Sequence, residues 1–439
     1  MRIALQPDAL DLTVVIPALR EAPNLARLLP TLEQTLATLT DAWEILVIDG
    51  DSNDGTIETV AERGDRVRCI VETRKGYGAA IIRGFSEARG RYVLTMDGDL
   101  SHPAEFVPNL WEARDEAEIV IASRYVPGGE ADQPPFRLFL SRILNYFFRS
   151  GLSMDVRDMS SGFRLYRKAV FSQLDLEFTN FAILVEILLK AFANGARIHE
   201  TPFHYALRTE GNSHAQVLPF GRDYLRLFHR MWRIRNSVDF PDYDWRAYNS
   251  RIWFQRYWQR RRHAIILRFL DGCASICDVG CGSSRILADL PPDTIGVDMR
   301  HDKLAFMRRS DRRLVGGDGL ALPFRAAQFD CVLSSQVIEH IPDENGRLLD
   351  ELVRVLRPGG RLVIGTPDYG GWQWPLIERI YARVAPGAYA DEHVTHYTHA
   401  SLRAAIEARG CRVEEHAYIC GAELILRATK QPEATSPSA

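Results

Sequence analysis

Nowhere does the chain hold the ~18–20 uninterrupted apolar residues that a bilayer-spanning helix needs. The nearest stretch, FTNFAILVEILLKAFANGA, carries Glu186 and Lys190 in its middle and reads as a buried helix. The N-terminus, MRIALQPDALDLTVVIPA, lacks a basic start, a sustained apolar core and a cleavage site, so no signal peptide is expected. Cysteine is scarce: seven residues, an odd number at irregular spacing, do not make a disulfide framework and point to a reducing cytoplasm. Cys273, Cys277 and Cys281 recur every fourth residue, but their segment reads better as a strand entering a glycine turn than as a metal cluster. A large excess of one charge is also missing, with 54 Lys and Arg against 57 Asp and Glu. Together with the absence of a recognition motif, that excludes nucleic acid as an expected partner.

What is present is ordinary globular composition, 46% hydrophobic and 25% charged, over 439 residues, enough for two or three domains. Two blocks share one grammar. From Leu12, the runs LTVVIPA, WEILVIDG, RVRCIVE and RYVLTMDGD alternate with helical patterns starting near Ala22, Thr56 and Gly78. From Ser275 the runs SICDVGCG, TIGVDM, RLVGGD, FDCVLSS and RLVIGT do the same. Such alternation predicts an α/β protein with two parallel, Rossmann-like sheets, whose ligands bind at the carboxyl ends of strands. The expected divisions are a first domain over 1–235, an Arg- and aromatic-rich linker over 236–262, a second domain over 263–430 and a disordered tail over 431–439.

In the first block, WEILVIDG delivers Asp49 to a strand end, and Asp51, Ser52, Asp54 and Gly55 follow. A carboxylate before a glycine turn suits a base or ribose, although Ser52 or Asp54 would equally serve as a helix N-cap. RYVLTMDGDL then places Asp97 and Asp99 one residue apart. Like charges repel at that spacing, and a hard cation such as Mg2+ or Mn2+ relieves the cost while binding substrate phosphates.

Residues 12–215 resemble the family-two glycosyltransferases of GT-A fold, and among them the dolichyl- and polyprenyl-phosphate mannosyltransferases. The resemblance is carried by VVIPALREAPN, VIDGDSNDGT, GYGAAIIRGF, MDGDLSHPAE, ASRYVPGG, RDMSSGFRLYR and ALRTEGNSH, in that order. It implies that Pro17, Glu21, Asp49 and Asp51 line a nucleotide-sugar pocket, with GDP-mannose the foremost donor. It implies that Asp97 and Asp99 hold metal and sugar diphosphate, with Ser101 at a third metal position. Arg124 and Arg208 would bind phosphates, and with Asp99 they form the expected catalytic set. The family usually has Lys where this chain has His214. The acceptor implied is a polyprenyl or dolichyl phosphate at a membrane surface.

PPFRLFLSRILNYFFRSGL spaces apolar residues helically between Arg137, Arg142 and Arg149. It suits an amphipathic helix lying in a bilayer surface, or one packed on its own sheet. The resemblance favours the former, and with it a peripheral position on the cytoplasmic membrane face.

In the second block, Gly280 and Gly282 let the backbone approach a ligand closely. Asp298 ends the next strand, placed to accept ribose hydroxyls, and Asp318 ends a third. Residues 264–428 resemble the class I S-adenosylmethionine-dependent methyltransferases, on DVGCGSS, GVD, GDGLALPF, FDCVLSSQVIEHI and LRPGGRLVIGTPD. That implies Asp278, Gly280 and Gly282 at the methionine end, Asp298 at the ribose, Asp318 and Gly319 at the adenine, and Gln336 near the methyl group. His340, His393 and His396 are candidate bases for methyl transfer, or structural residues. The expected enzyme transfers a hexose to a polyprenyl phosphate with inversion and methylates a related lipid or glycan. The alternative is sugar transfer to a non-lipid glycan, with the second domain a cofactor-binding or docking module.

Overall fold

The computed structural model describes residues 3–132, 134–205, 217–237, 239–342, 346–384 and 393–432. Contacts divide the chain into two units, Met1–Trp232 and Arg233–Ala439.

The first unit runs β1 (Leu10–Ala18), α1 (Ala22–Leu39), β2 (Trp43–Asp49), α2 (Thr56–Ala61), β3 (Val67–Val71), α3 (Tyr77–Glu87) and β4 (Gly90–Thr95). It continues through α4 (Val107–Glu112), β5 (Ile119–Ser123), β6 (Glu130–Ala131), α5 (Pro135–Leu152), β7 (Arg164–Arg167), α6 (Ile183–Ala193), β8 (Ile198–Pro202) and β9 (His204–Tyr205). A further helix, α7 (Val217–Arg235), crosses into the second unit. The large sheet has the order β3-β2-β1-β4-β7-β5-β8. β1 lies between β2 and β4, parallel to both, so a crevice opens at the carboxyl end where the strand order reverses. Residues 12–16 of β1 and 45–48 of β2 are fully buried, hence runs that are apolar but for Thr13. α6 is buried as expected: its Glu186 accepts the Glu177 and Phe178 amides and pairs with Lys190 at 2.7 Å.

The second unit runs α8 (Tyr243–Ala247), α9 (Trp253–Leu270), β10 (Ile276–Val279), α10 (Arg285–Asp289), β11 (Ile295–Asp298), α11 (His301–Met307), β12 (Arg313–Gly316) and β13 (Phe329–Ser335). Then come α12 (Arg347–Val355), β14 (Leu356–Pro367), α13 (Gln373–Val384), α14 (His399–Glu407), β15 (Cys411–Ile419) and β16 (Glu423–Lys430). Its sheet has the order β12-β11-β10-β13-β14-β16-β15. Neighbours are parallel from β12 to β14, while β16 is antiparallel to both β14 and β15. The reversal again falls beside the first strand, between β10 and β13.

Three expectations need correction. Residues 236–262 do not stand apart as a linker, because they lie within the second unit and α9 runs unbroken through Arg262. Its Trp258, Ile265, Ile266 and Phe269 share a core with Ile276, Leu333 and Ile425, and Arg262 is paired with buried Glu423 at 2.6 Å. The arginines mask this helical stripe in composition. The thiols are not all free: Cys273, before β10, and Cys331, in neighbouring β13, are joined as a disulfide with Cα atoms 6.2 Å apart. The N-cap position of α2 is Gly55, not Ser52 or Asp54. Arg208, His214 and residues 433–439 of the expected tail lie outside the described residues.

The segment before β7 is fixed by one buried carboxylate. Asp158 accepts Arg124 Nε at 2.7 Å and Nη2 at 2.8 Å, and the amides of Arg124 and Ser161. Glu200 of β8 accepts the Asp158 amide at 2.9 Å and the Ser123 hydroxyl at 2.7 Å. Asn145 of α5 accepts the Met159 amide at 2.8 Å and donates to Ser160 Oγ at 3.1 Å. Removing one partner of such a buried pair strands the other charge. Asp158→Ala should lower the stability of the first unit by about 3–5 kcal/mol, read as an earlier first transition in urea unfolding of the full chain.

Candidate functional sites

In the first unit the expected residues converge on the β1–β4 crevice. Parallel register sets Ala18 beside Asp49 and Val15 beside Thr95, so residues 17–21, 49–54 and 97–102 leave the sheet together. Asp49 is buried; its Oδ2 accepts the Ser52 amide at 2.8 Å, and its Oδ1 is buried without a hydrogen-bond partner. Asp54 accepts the Ala22 amide and the Thr56 hydroxyl, tying the turn after β2 to the start of α1. Ser52 Oγ accepts the Arg20 amide. Glu21 accepts from Asn24 Nδ2 at 2.6 Å, Pro17 lies within β1, and exposed Asp51 takes the left-handed conformation at φ 65°.

After β4, Asp97 is partly exposed and Asp99 is buried. Asp99 Oδ1 accepts both the amide and the hydroxyl of Ser101, at 3.0 and 2.5 Å, so Ser101 orients Asp99. The Asp97 amide donates to Nδ1 of His102, whose Nε2 lies 3.9 Å from Asp97 Oδ2. Burial holds the His102 imidazole below its ordinary pKa, favouring the neutral acceptor form used here. Arg124 lies on β5's exit, its guanidinium engaged by Asp158 and Ser160 and near the rings of Tyr125 and Tyr205.

Beside this loop, α5 turns two faces to different surroundings. Asn145, Phe148 and Leu152 face inward, while Phe136, Phe139, Ile143, Tyr146 and Phe147 are exposed, Phe136 at 71% and Tyr146 at 70%. Ser141 on the same helix accepts from the Tyr125 hydroxyl at 2.7 Å. No helix among the described residues is long and apolar enough to cross a membrane.

In the second unit Asp278 is buried at the end of β10, and burial, with the nearby Asp298, pushes its carboxyl up to about 7. Gly280 has φ 74°, and a Cβ there would meet Val337 at 2.2 Å. Asp298 accepts the amides of Gly282 and Arg300, both at 2.8 Å. Asp318 is exposed and accepts the Leu320 amide, and Gly319 lies against Leu348. Gln336, just past β13, is left-handed at φ 60°, and its Nε2 is buried without a partner. His340 and His393 bring their rings to 4.8 Å, whereas His396 is exposed and stacks on Tyr369 at 4.1 Å.

Residues 13–175 match the family described as Glycosyl transferase family 2, and residues 277–364 match the Methyltransferase domain family. The chain is 32% identical over 256 residues to Dolichol-phosphate mannosyltransferase of Saccharomyces cerevisiae, a match covering 52% of this chain and 94% of that protein. It is 34% identical to Polyprenol monophosphomannose synthase of Mycolicibacterium smegmatis, covering 46% and 79%. The enzyme of the same name as the yeast one from Pyrococcus furiosus is 35% identical, covering 52% of this chain and 66% of that one. The chain belongs to the dolichol-phosphate mannosyltransferase family. Unlike a single-domain member, this mannosyltransferase-family chain carries a methyltransferase domain as well, so two transferase activities share one polypeptide.

The residues present fit the groups these families use. Asp49 Oδ1 and Gln336 Nε2 are buried polar atoms that a ligand could satisfy, and the Gly280 backbone offers a cradle that a side chain would fill. Asp97 with Asp99 could hold a divalent cation. Sequence reasoning missed Asp158, His102 and Asn145, although Asp158 stands in the quoted RDMSSGFRLYR and His102 in MDGDLSHPAE. It also missed Asp244 of α8, which accepts from Ser283 Oγ at 3.2 Å and Lys303 Nζ at 3.3 Å beside Gly282. Its position 34 residues before Asp278 left no local signal.

Two outcomes follow. Gly280→Ala should weaken S-adenosylmethionine binding about tenfold or more by calorimetry, since a strained backbone costs of order 1–3 kcal/mol. If Asp278 pairs with the ammonium of S-adenosylmethionine, binding requires the carboxylate. With the free carboxyl near 7, affinity should rise as pH increases through neutrality, with proton release, and Asp278→Asn should flatten that dependence.

Proposed function

We propose that the first domain transfers mannose from GDP-mannose to a polyprenyl phosphate at the cytoplasmic face of a membrane. In this reading the second domain methylates a related lipid or glycan. The outward apolar face of α5 carries the reading. A water-facing helix has little reason to expose Phe136, Phe139, Ile143, Tyr146 and Phe147 together, and these residues sit on the helix that braces the Arg124–Asp158 segment. The family relationship supports the donor and the lipid acceptor, as the relatives' own names include dolichol phosphate and polyprenol.

The chemistry asks little of a general base. A lipid monophosphate has a second pKa of about 6 and is largely dianionic at neutral pH. Its oxygen attacks the anomeric carbon as the bond to the diphosphate breaks, with inversion and without a proton to remove. Asp49 would hold the nucleoside, and Asp97 and Asp99 would hold Mg2+ or Mn2+ at the diphosphate. Such a cation neutralises the leaving group. Arg124, held rigid by Asp158, and Arg208 would orient phosphates, and orientation supplies much of the rate. In the second domain S-adenosylmethionine supplies an electrophilic methyl group, and Asp278, Gly280, Gly282, Asp298, Asp318, Gly319 and Gln336 would bind and aim it. The exposed Trp372, just before α13, and Leu376 and Ile380 on it favour an acceptor with an apolar part.

The test is incubation of the full chain with labelled GDP-mannose and undecaprenyl phosphate. The expected result is an organic-extractable product that requires Mg2+ or Mn2+ and falls on the order of 100-fold or more in Asp97→Asn. Label confined to a water-soluble glycan would overturn the lipid acceptor.

A further inference from the structure

Glu339, His340 and His393 lie outside the sugar-transfer site and beyond the cofactor loop, yet their ligand-capable atoms all fall within 4.8 Å of one another. Two chain segments are stitched together to achieve this. The amides of Val394 and Thr395 both donate to the Glu339 carbonyl, at 2.9 and 3.1 Å, and the Thr395 hydroxyl donates to the Ile341 carbonyl at 2.7 Å. His393 is thereby fixed beside the turn that follows β13. Its Nδ1 lies 3.0 Å from Glu378 Oε1 and 2.8 Å from the Tyr369 hydroxyl, which itself donates to Glu378. A carboxylate on one ring nitrogen is the usual way a metal-binding histidine is oriented and made more basic. Glu339 is fully buried; Thr366 donates to its Oε2, while its Oε1 is buried without a partner.

We propose that Glu339, His340 and His393 form a binding site for a first-row divalent cation such as Zn2+ within the methyltransferase domain. Two imidazoles and one carboxylate are a donor set for Zn2+, Co2+ or Fe2+ rather than for Mg2+ or Ca2+. Three protein ligands leave coordination positions open, as catalytic rather than structural sites do. Glu339 is three residues past Gln336, so an acceptor hydroxyl at an open position would lie near the methyl donor. Coordination acidifies such a hydroxyl. Its proton leaves to water, its oxygen bonds to the methyl carbon, and the carbon–sulfur electron pair returns to the sulfonium. The three residues would then act as ligands, not as free bases. The site rests on the methyltransferase reading and is independent of the sugar donor.

The experiment uses the full chain carrying Asp97→Asn and Asp99→Asn, so that the first domain's carboxylates do not compete. After chelation it is titrated with Co2+, followed by visible absorption and calorimetry, with S-adenosylmethionine binding measured in parallel. One equivalent of Co2+ with visible ligand-field bands is expected. His393→Ala and His340→Ala should each abolish the bands while cofactor affinity is retained. Glu378→Gln, which acts through His393, should weaken Co2+ binding about 10–100-fold. Absence of stoichiometric binding in the parent, or bands unchanged in both histidine variants, would overturn the site. Co2+ binding without S-adenosylmethionine binding would support the site and overturn the methyl-transfer reading instead.

Discussion

Carboxylates at the carboxyl ends of buried parallel strands set the terms for both domains. An ionised group there loses water, and the loss costs several kcal/mol unless hydrogen bonds or a cation replace it. Each sheet meets the cost halfway. Asp49 takes the Ser52 amide on one oxygen and has no partner on the other. Glu339 takes the Thr366 hydroxyl on one oxygen and has none on the other. Burial pushes the Asp278 carboxyl up to about 7 and, despite the Thr366 hydroxyl, that of Glu339 up to about 8. The folds thus hold their acids in place with amides and hydroxyls while leaving charge or lone pairs for a ligand to answer. After β2 the turn brings the Ser52 amide to Asp49, and after β10 the glycine turn brings the Gly282 amide to Asp298 of the neighbouring strand.

The segment between β5 and β7 of the first domain is organised by a second constraint, the pairing of Arg124 with Asp158. A guanidinium held by two parallel hydrogen bonds cannot swing to follow its substrate. Asp158 is itself held through Glu200 of β8, and Ser160 through Asn145 of α5. Strand, loop and surface helix therefore share one hydrogen-bonded frame. On the proposed reading, a lipid phosphate meets an arginine whose position is set by the same helix that rests on the membrane.

How much of this was legible depends on whether the signal was local. The strand–helix alternation, the start of α1 at Ala22, the burial of α6 and the strand-end acids at 49, 97, 278 and 298 follow from short-range pattern, and the structure agrees. Residues 236–262 were less legible: six arginines around three tryptophans suit a surface strip as well as a buried helix pair, and only the structure puts Trp258 with Ile265, Ile266 and Phe269 in one core. Long-range partners were invisible. Nothing near Asp244 announces the Gly282 loop, and nothing near Cys273 announces Cys331. The histidines were noticed singly, as candidate bases. Only the pairing of residues 394 and 395 with Glu339 reveals that two of them, and not His396, belong to one cluster.

The presence of two transferases on one chain gains a physical rationale from their surfaces. Each unit turns an apolar helical face outward beside its own site, Phe136 to Phe147 on α5 in one, and Leu376 with Ile380 on α13 in the other. Soluble monomers seldom keep such patches without a use. On the proposed reading, a lipid-borne sugar leaving the first site would diffuse in two dimensions, and a second enzyme on the same chain would meet it at an effective concentration fixed by the tether rather than by the cell volume. That advantage exists only if both sites face one surface and accept one product. A methyl acceptor bearing hydroxyls on an apolar carrier would meet the second of these conditions. It would offer oxygen to a cation at Glu339, His340 and His393 while its tail stays in the lipid.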